Sequence, residues 1–217
     1  MSDPLPGVIG FVQFPPGTLD DESRVPPPSA GFRDVGPIGA DTGGGAGPAS
    51  LVVNGWPRSL TWDEFRELDA RPADAEGDEN AQIHSDVNQP ERVSVVREGG
   101  QRRVSSLTVT ISIVRADTWV VRSAKTAELL SHEQGHYDLT GLSGRDMGNE
   151  ILAARAGTLE DLQRQVTAII ERARARARTW NARYDTETGG GRNRDAQRRW
   201  DERIRSCIAN GTPFSPP

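Results

Sequence analysis

Residues Glu128–Thr140 read ELLSHEQGHYDLT and hold two of the chain's three histidines, His132 and His136. On an α-helix, positions four apart lie about 40° from one another, on one face. Both rings can then offer a nitrogen to a single metal ion. Glu133 stands about 100° round from His132, beside such an ion and not on it. That is where a general base must be to take a proton from a water at the metal. Leu129 and Leu139 flank the histidines on the same stripe, so the face that carries them is expected to be buried. The stretch therefore predicts a long helix with a zinc site, His132 and His136 as ligands and Glu133 as the catalytic acid/base.

Two ligands do not complete such a site, which needs a third from the protein and an open fourth position. Asp138 falls about 240° round from His132, pointing away from the metal, and reads as a structural group paired with Arg145. A third histidine six residues after the second would fall at Leu142, which excludes the metzincin spacing. Glu150 and Glu160 on the following helical stretch are formal candidates, and His84 is an outside one from a loop. The preferred source is YDTET at Tyr184–Thr188, which offers Asp185 or Glu187. Tyr137 and Tyr184 are either buried structural tyrosines or groups that steady an oxyanion.

Outward from this helix the pattern changes. LTVTISIV at Leu107–Val114 alternates strictly, and with RVSVV at Arg92–Val96 across Gly99–Gly100 it predicts an antiparallel hairpin. Leu51–Val53 and Thr118–Val121 read as further strands. Thr61 with Glu64 three residues on forms a capping-box pattern, so Trp62–Leu68 is expected to be a short helix. Helices are expected over Ala124–Ala156, Leu159–Tyr184 and Arg194–Ile208. The fold class is α+β and zincin-like: a small antiparallel or mixed sheet packed on a long HExxH helix, with two further C-terminal helices.

The first 50 residues differ in kind. They hold nine prolines and ten glycines and end in GGGAGP at Gly43–Pro48, a composition without a packed core of its own. The expected organisation is an extended Pro/Gly-rich arm or linker over 1–50, one folded domain over 51–210 and a C-terminal tail over 211–217. The lone Cys207 forms no internal disulfide and no thiolate zinc site by itself.

Charge divides as composition does. Residues 1–100 carry 17 acidic against 7 basic side chains, and residues 101–217 carry 14 against 19. This balance argues against a general nucleic-acid binder. RARARAR at Arg172–Arg178 does not alter that, because positions two apart on a helix are separated by about 200°. No apolar run approaches a membrane span. MSDPLPGVIGFVQFPP lacks a basic n-region and a continuous apolar core, so the chain is expected to be cytoplasmic, exported without a leader, or part of a virion or phage-like particle.

LTWDEF, a strand ending TWVV, ELLSHEQGHYDL with Arg145 nine residues past the second histidine, and YDTET followed by a Gln and a Trp together resemble one bacterial family. It is domain-of-unknown-function 922, described as predicted zinc-dependent proteases, and the resemblance spans about Leu60–Ile208. It implies His132 and His136 as metal ligands and Glu133 as acid/base. Members carry a histidine shortly after the YDxxT block, where this chain has Gly190 in a GGG run. By that comparison Asp185 or Glu187 takes over as ligand, or the site is degenerate. Members also tend to carry export signals, where this chain has its arm.

Two functions follow as expectations. The leading one is a zinc metalloendopeptidase that holds an extended peptide or protein substrate along a sheet edge. The competing one is a non-catalytic zincin-fold component of a larger assembly, docked on a protein partner through residues 1–50 with Val8–Phe14 as anchor.

Overall fold

The structure, a computed structural model, describes residues 48–217 apart from 74, 76–78, 89 and 91, together with the backbone of Phe32–Asp34. The assembly anchor expected at Val8–Phe14 lies outside the described residues.

The fold is mixed α+β. Its first sheet contains β1 (Phe32–Asp34), β2 (Ser50–Asn54), β5 (Ser85–Val87), β6 (Arg92–Glu98), β7 (Gln101–Ile113) and β9 (Arg155–Ala156). β6 and β7 form the expected hairpin, turning at Gly99 and Gly100 with φ of +57° and +82°. Those angles are the ones glycine adopts without steric cost. The hairpin slips register between Ser94 and Val95, where Ser105 caps the irregularity with a hydrogen bond to the Ser94 carbonyl. β5 prolongs the pairing antiparallel to the far end of β7, while β2 runs parallel to β7 and β9 antiparallel to its start. β1 adds a parallel neighbour to β6.

A second sheet places β8 (Trp119–Val121) between β3 (Arg66–Leu68) and β4 (Ala81–Gln82). β3 corrects the short helix expected over Trp62–Leu68. Glu64 does accept from the Thr61 amide at 2.7 Å and hydroxyl at 3.0 Å, but the helix stops after a single 3₁₀ turn at Trp62–Glu64. The Arg66 amide bonds the Thr118 carbonyl at 3.0 Å and draws the chain into parallel pairing with β8. Trp62 and Phe65, spaced as on a helix, pack edge to face in the turn instead, with ring centroids 5.0 Å apart. Tertiary pairing outweighs a weak local propensity here.

Three helices follow, α1 (Ala127–Ala153), α2 (Leu159–Thr188) and α3 (Arg194–Asn210); α1 and α2 pack on the strands, and α3 packs on α1 and α2. Each starts on a side-chain cap, Thr126, Thr158 and Asn193, which accept from Leu129, Asp161 and Ala196. Thr126 explains why α1 begins later than Ala124, since Arg122–Ala124 is a separate 3₁₀ turn. α1 lies against the apolar face of β7, and glycines set its closeness. A Cβ on Gly144 would meet Ile111, Val87 and Val109 at 2.8–3.3 Å, and one on Gly141 would meet the Trp56 ring at 2.2 Å.

The C-terminal residues are docked. Arg145 donates to the carbonyls of Cys207 (2.8 Å) and Thr212 (2.5 Å) and pairs with Asp146, whose other oxygen accepts from the Phe214 amide at 2.8 Å. Phe214 is buried against Trp180 and Trp200. The Asp138–Arg145 pair expected from sequence does not form: Asp138 accepts from Trp56 Nε1 at 2.9 Å instead, and burial raises its pKa to about 6. No described helix is long and apolar enough to cross a membrane.

Candidate metal centre

His132, Glu133 and His136 are buried on α1. Asp185, on α2, completes the cluster. Its Oδ1 lies 2.8 Å from His136 Nε2 and 3.3 Å from His132 Nε2, and the two Nε2 atoms are 3.2 Å apart. Two ligands placed 2.0–2.1 Å from a tetrahedral ion stand about 3.3 Å apart. The three spacings therefore match a His–His–Asp ligand set for one ion.

Hydrogen bonds on the far side of each ring settle which nitrogen is available. Asn181 donates its amide to the Ala177 carbonyl at 2.9 Å, so its oxygen must be the atom 2.6 Å from His136 Nδ1. Gln197 donates to Asp201 at 2.8 Å, so its oxygen is the atom 3.3 Å from His132 Nδ1. Each Nδ1 thus carries a hydrogen, so Nε2 is the nitrogen of each ring that faces the common point and offers a lone pair once the cluster's proton is displaced. Lone pairs converging with a carboxylate are poorly matched to one another and well matched to a cation. The residues present fit a divalent ion.

Electrostatics agree. Burial presses His136 toward neutrality, but the charge and hydrogen bond of Asp185 outweigh it and carry its pKa to about 9. Asp185 is opposed by burial and held well below the usual carboxylate range, chiefly by the charge of His136. In the metal-free protein the cluster therefore holds a proton that an incoming ion must displace. Glu133 behaves differently: burial raises its pKa against the pull of both histidines, and its Oε2 accepts from the Ile83 amide at 2.8 Å.

The cluster opens on a cleft of about 760 Å³. One wall is Ala81–Ile83, where β4 forms the edge of its sheet. The turn Gly189–Gly191 is another part of the lining, and Leu129 and Arg194 also line the space. All three glycines of that turn have positive φ, between +57° and +81°, and a Cβ on Gly191 would come within 3.1 Å of His132 Cβ.

The other sequence candidates lie elsewhere. Glu187 faces away from the cluster, pairing with Arg183 at 2.5 Å and accepting from Trp200 Nε1 at 2.8 Å. Glu150 pairs with Arg172 and Arg176, and Glu160 with Arg164. His84 sits between Asp117 at 3.1 Å and Asp86 at 3.4 Å. Neither tyrosine hydroxyl points into the cleft. Tyr137 donates to the Gly55 carbonyl, and Tyr184 donates to the His132 carbonyl while stacking on the His132 ring. Both hydroxyls serve structural hydrogen bonds here.

Three groups that matter to the site had no role assigned from sequence, although Gln197 is the Gln that follows YDTET in the family resemblance. Asn181, Gln197 and the Ile83 amide hold His136, His132 and Glu133. Asn181 had a signal: it lies on the apolar stripe of α2 with Ala177 and Tyr184, one turn before Asp185, and a polar residue on a buried stripe needs a partner. Ile83 had none, because its contribution is a main-chain N–H.

The remaining letters of HEQGHYD are now accounted for. Gln134 accepts from the Leu60 amide at 2.7 Å and donates to the Arg58 carbonyl at 3.1 Å. Gly135 leaves room for Tyr184, whose hydroxyl would be 2.1 Å from a Cβ there. Residues 60–191 match the family model described as "Bacterial protein of unknown function (DUF922)", and the chain belongs to that family. No curated protein and no solved structure matches the chain.

Proposed function

We propose that this family member is a zinc-dependent metallopeptidase of zincin type, cleaving extended peptide segments. The observation that carries the reading is the convergence of His132, His136 and Asp185 on one point beside a buried Glu133, in an open cleft walled by a sheet edge. His132, His136 and Asp185 would hold the ion. A bound zinc ion supplies Lewis acidity, polarising a carbonyl and acidifying water.

The chain's own residues do the rest. Glu133, whose pKa is raised by burial, is suited to accept a proton from the attacking water and return it to the leaving amine. The Ile83 amide fixes one Glu133 oxygen and so ties the base to the strand that would bind substrate. β4 has a neighbour on one side only, β8, among the described residues. A peptide added along its other side would lie across the histidines by main-chain pairing, with side-chain preference left to the cleft walls.

The test is incubation of the purified chain with a library of unstructured peptides, reading new termini by mass spectrometry. Cleavage that stops on chelation and returns with zinc is expected. Stoichiometric zinc without any cleavage would overturn the peptidase reading in favour of a non-catalytic assembly component that retains a metal site. Iron in place of zinc would also count against it, since two histidines and one carboxylate are equally an iron(II) set.

A further inference from the structure

The two histidines are held by different devices. For His136 the acceptor is Asn181, whose own amide is committed to a helix carbonyl one turn back, so its orientation is fixed within α2. For His132 the acceptor is Gln197 on α3, which reaches it from outside the α1–α2 pair. A carboxamide can stand either way round, and if Gln197 were reversed its N–H would force His132 to accept at Nδ1. Nε2 would then carry the hydrogen and could not ligate.

What stands against reversal is Asp201, one turn on along α3, whose carboxylate oxygen accepts the Gln197 Nε2 hydrogen at 2.8 Å. Gln197 Nε2 also donates to the Tyr184 hydroxyl at 2.5 Å, and that hydroxyl is itself spent on the His132 carbonyl. Thr188 Oγ1 is a second but distant acceptor, 3.5 Å from His132 Nδ1.

We propose that Gln197 is a positioning residue of the metal centre, holding His132 in its ligating tautomer, and that Asp201 fixes which way round Gln197 stands. The proposal rests on the metal-site reading above. It assigns α3, which lies beyond the family-matched residues 60–191, a part in metal affinity.

The test is zinc affinity of the full chain by competition with a chromogenic chelator, with the visible spectrum of the cobalt(II)-loaded protein as a second readout. Thermal unfolding of the metal-free proteins reports folding separately. Gln197→Leu is expected to weaken zinc by about 10–100-fold and to shift the cobalt bands. Asp201→Asn, which changes little in size, is expected to weaken zinc several-fold by allowing Gln197 to turn. Combining Gln197→Glu with Asp201→Asn reverses the polarity of the pair and keeps an acceptor on His132, so affinity should return to the wild-type value or better. Unchanged affinity in a folded Gln197→Leu or Asp201→Asn variant would overturn the proposal, as would a folded double variant that fails to recover. A wild-type chain that takes up no zinc would overturn this inference and the metal-site reading together.

Discussion

The two halves of α1 bury equally well for opposite reasons. From His132 to His136 the helix hides three ionisable side chains, each answered by a named partner on α2, α3 or the strand edge. From Gly141 to Gly148 it buries Leu142, Met147 and Asp146 between glycines, and Trp56, β7 with Val87, and Leu51 close to contact over Gly141, Gly144 and Gly148 in turn. The first half is costly to bury unless satisfied, and the second rests mainly on close packing, with the Arg145–Asp146 pair tying it to the C-terminal residues. One continuous helix therefore carries a reactive end on a rigid base.

That contrast can be broken at either end. The largest effect is expected at the reactive end: Glu133→Gln should lower peptide hydrolysis by about 10²–10⁴-fold while zinc content and thermal midpoint stay close to wild type. Loss of zinc in that variant would mean Glu133 is a ligand. At the base, Gly141→Ala drives a methyl into the Trp56 ring and should cost about 1–3 kcal/mol, read by denaturant unfolding. Zinc per folded chain should not change, and a loss of zinc would show the two halves to be coupled.

The first half of this contrast was legible in the sequence and the second was not. HExxH spacing and flanking leucines place the helix, its buried face and the pair of histidines. The choice between Asp185 and Glu187 was not legible, because residues two apart point about 200° from each other and the local sequence does not say which side of α2 faces inward. The stripe of Ala173, Ala177, Asn181 and Tyr184 decides it, with Asp185 beside Tyr184 turned to the histidines and Glu187 turned to Arg183 and Trp200. That stripe also passes through RARARAR: Ala173 and Ala177 are fully buried, and Arg172, Arg174 and Arg176 pair with Glu150 or Glu171. The strand at Arg66–Leu68 was hidden for a different reason, since its partner β8 lies some fifty residues away.

Smaller effects sharpen the same boundary. Glu187→Gln keeps an acceptor for Trp200 and loses only a half-exposed pair with Arg183. It should cost under about 1 kcal/mol and leave zinc in place, and loss of zinc would return Glu187 to the ligand set. The smallest effect is expected at His84. The Asp86 carboxylate, 3.4 Å from its Nε2, raises its pKa above the ordinary 6.5 against the effect of burial. A raised folded value contributes stability in full below pH 6.5 that is lost as pH climbs through the folded value. His84→Gln should flatten that decline in a stability–pH series, and an unaltered slope would remove His84 from the account.

The central claim is a three-ligand zinc site made by His132, His136 and Asp185. Elemental analysis of the purified full chain beside Asp185→Ala tests it most directly. The expected result is about one zinc per wild-type chain and essentially none in the variant, with both proteins folded. No zinc in the wild type after zinc is added back, or zinc retained by Asp185→Ala, would contradict it.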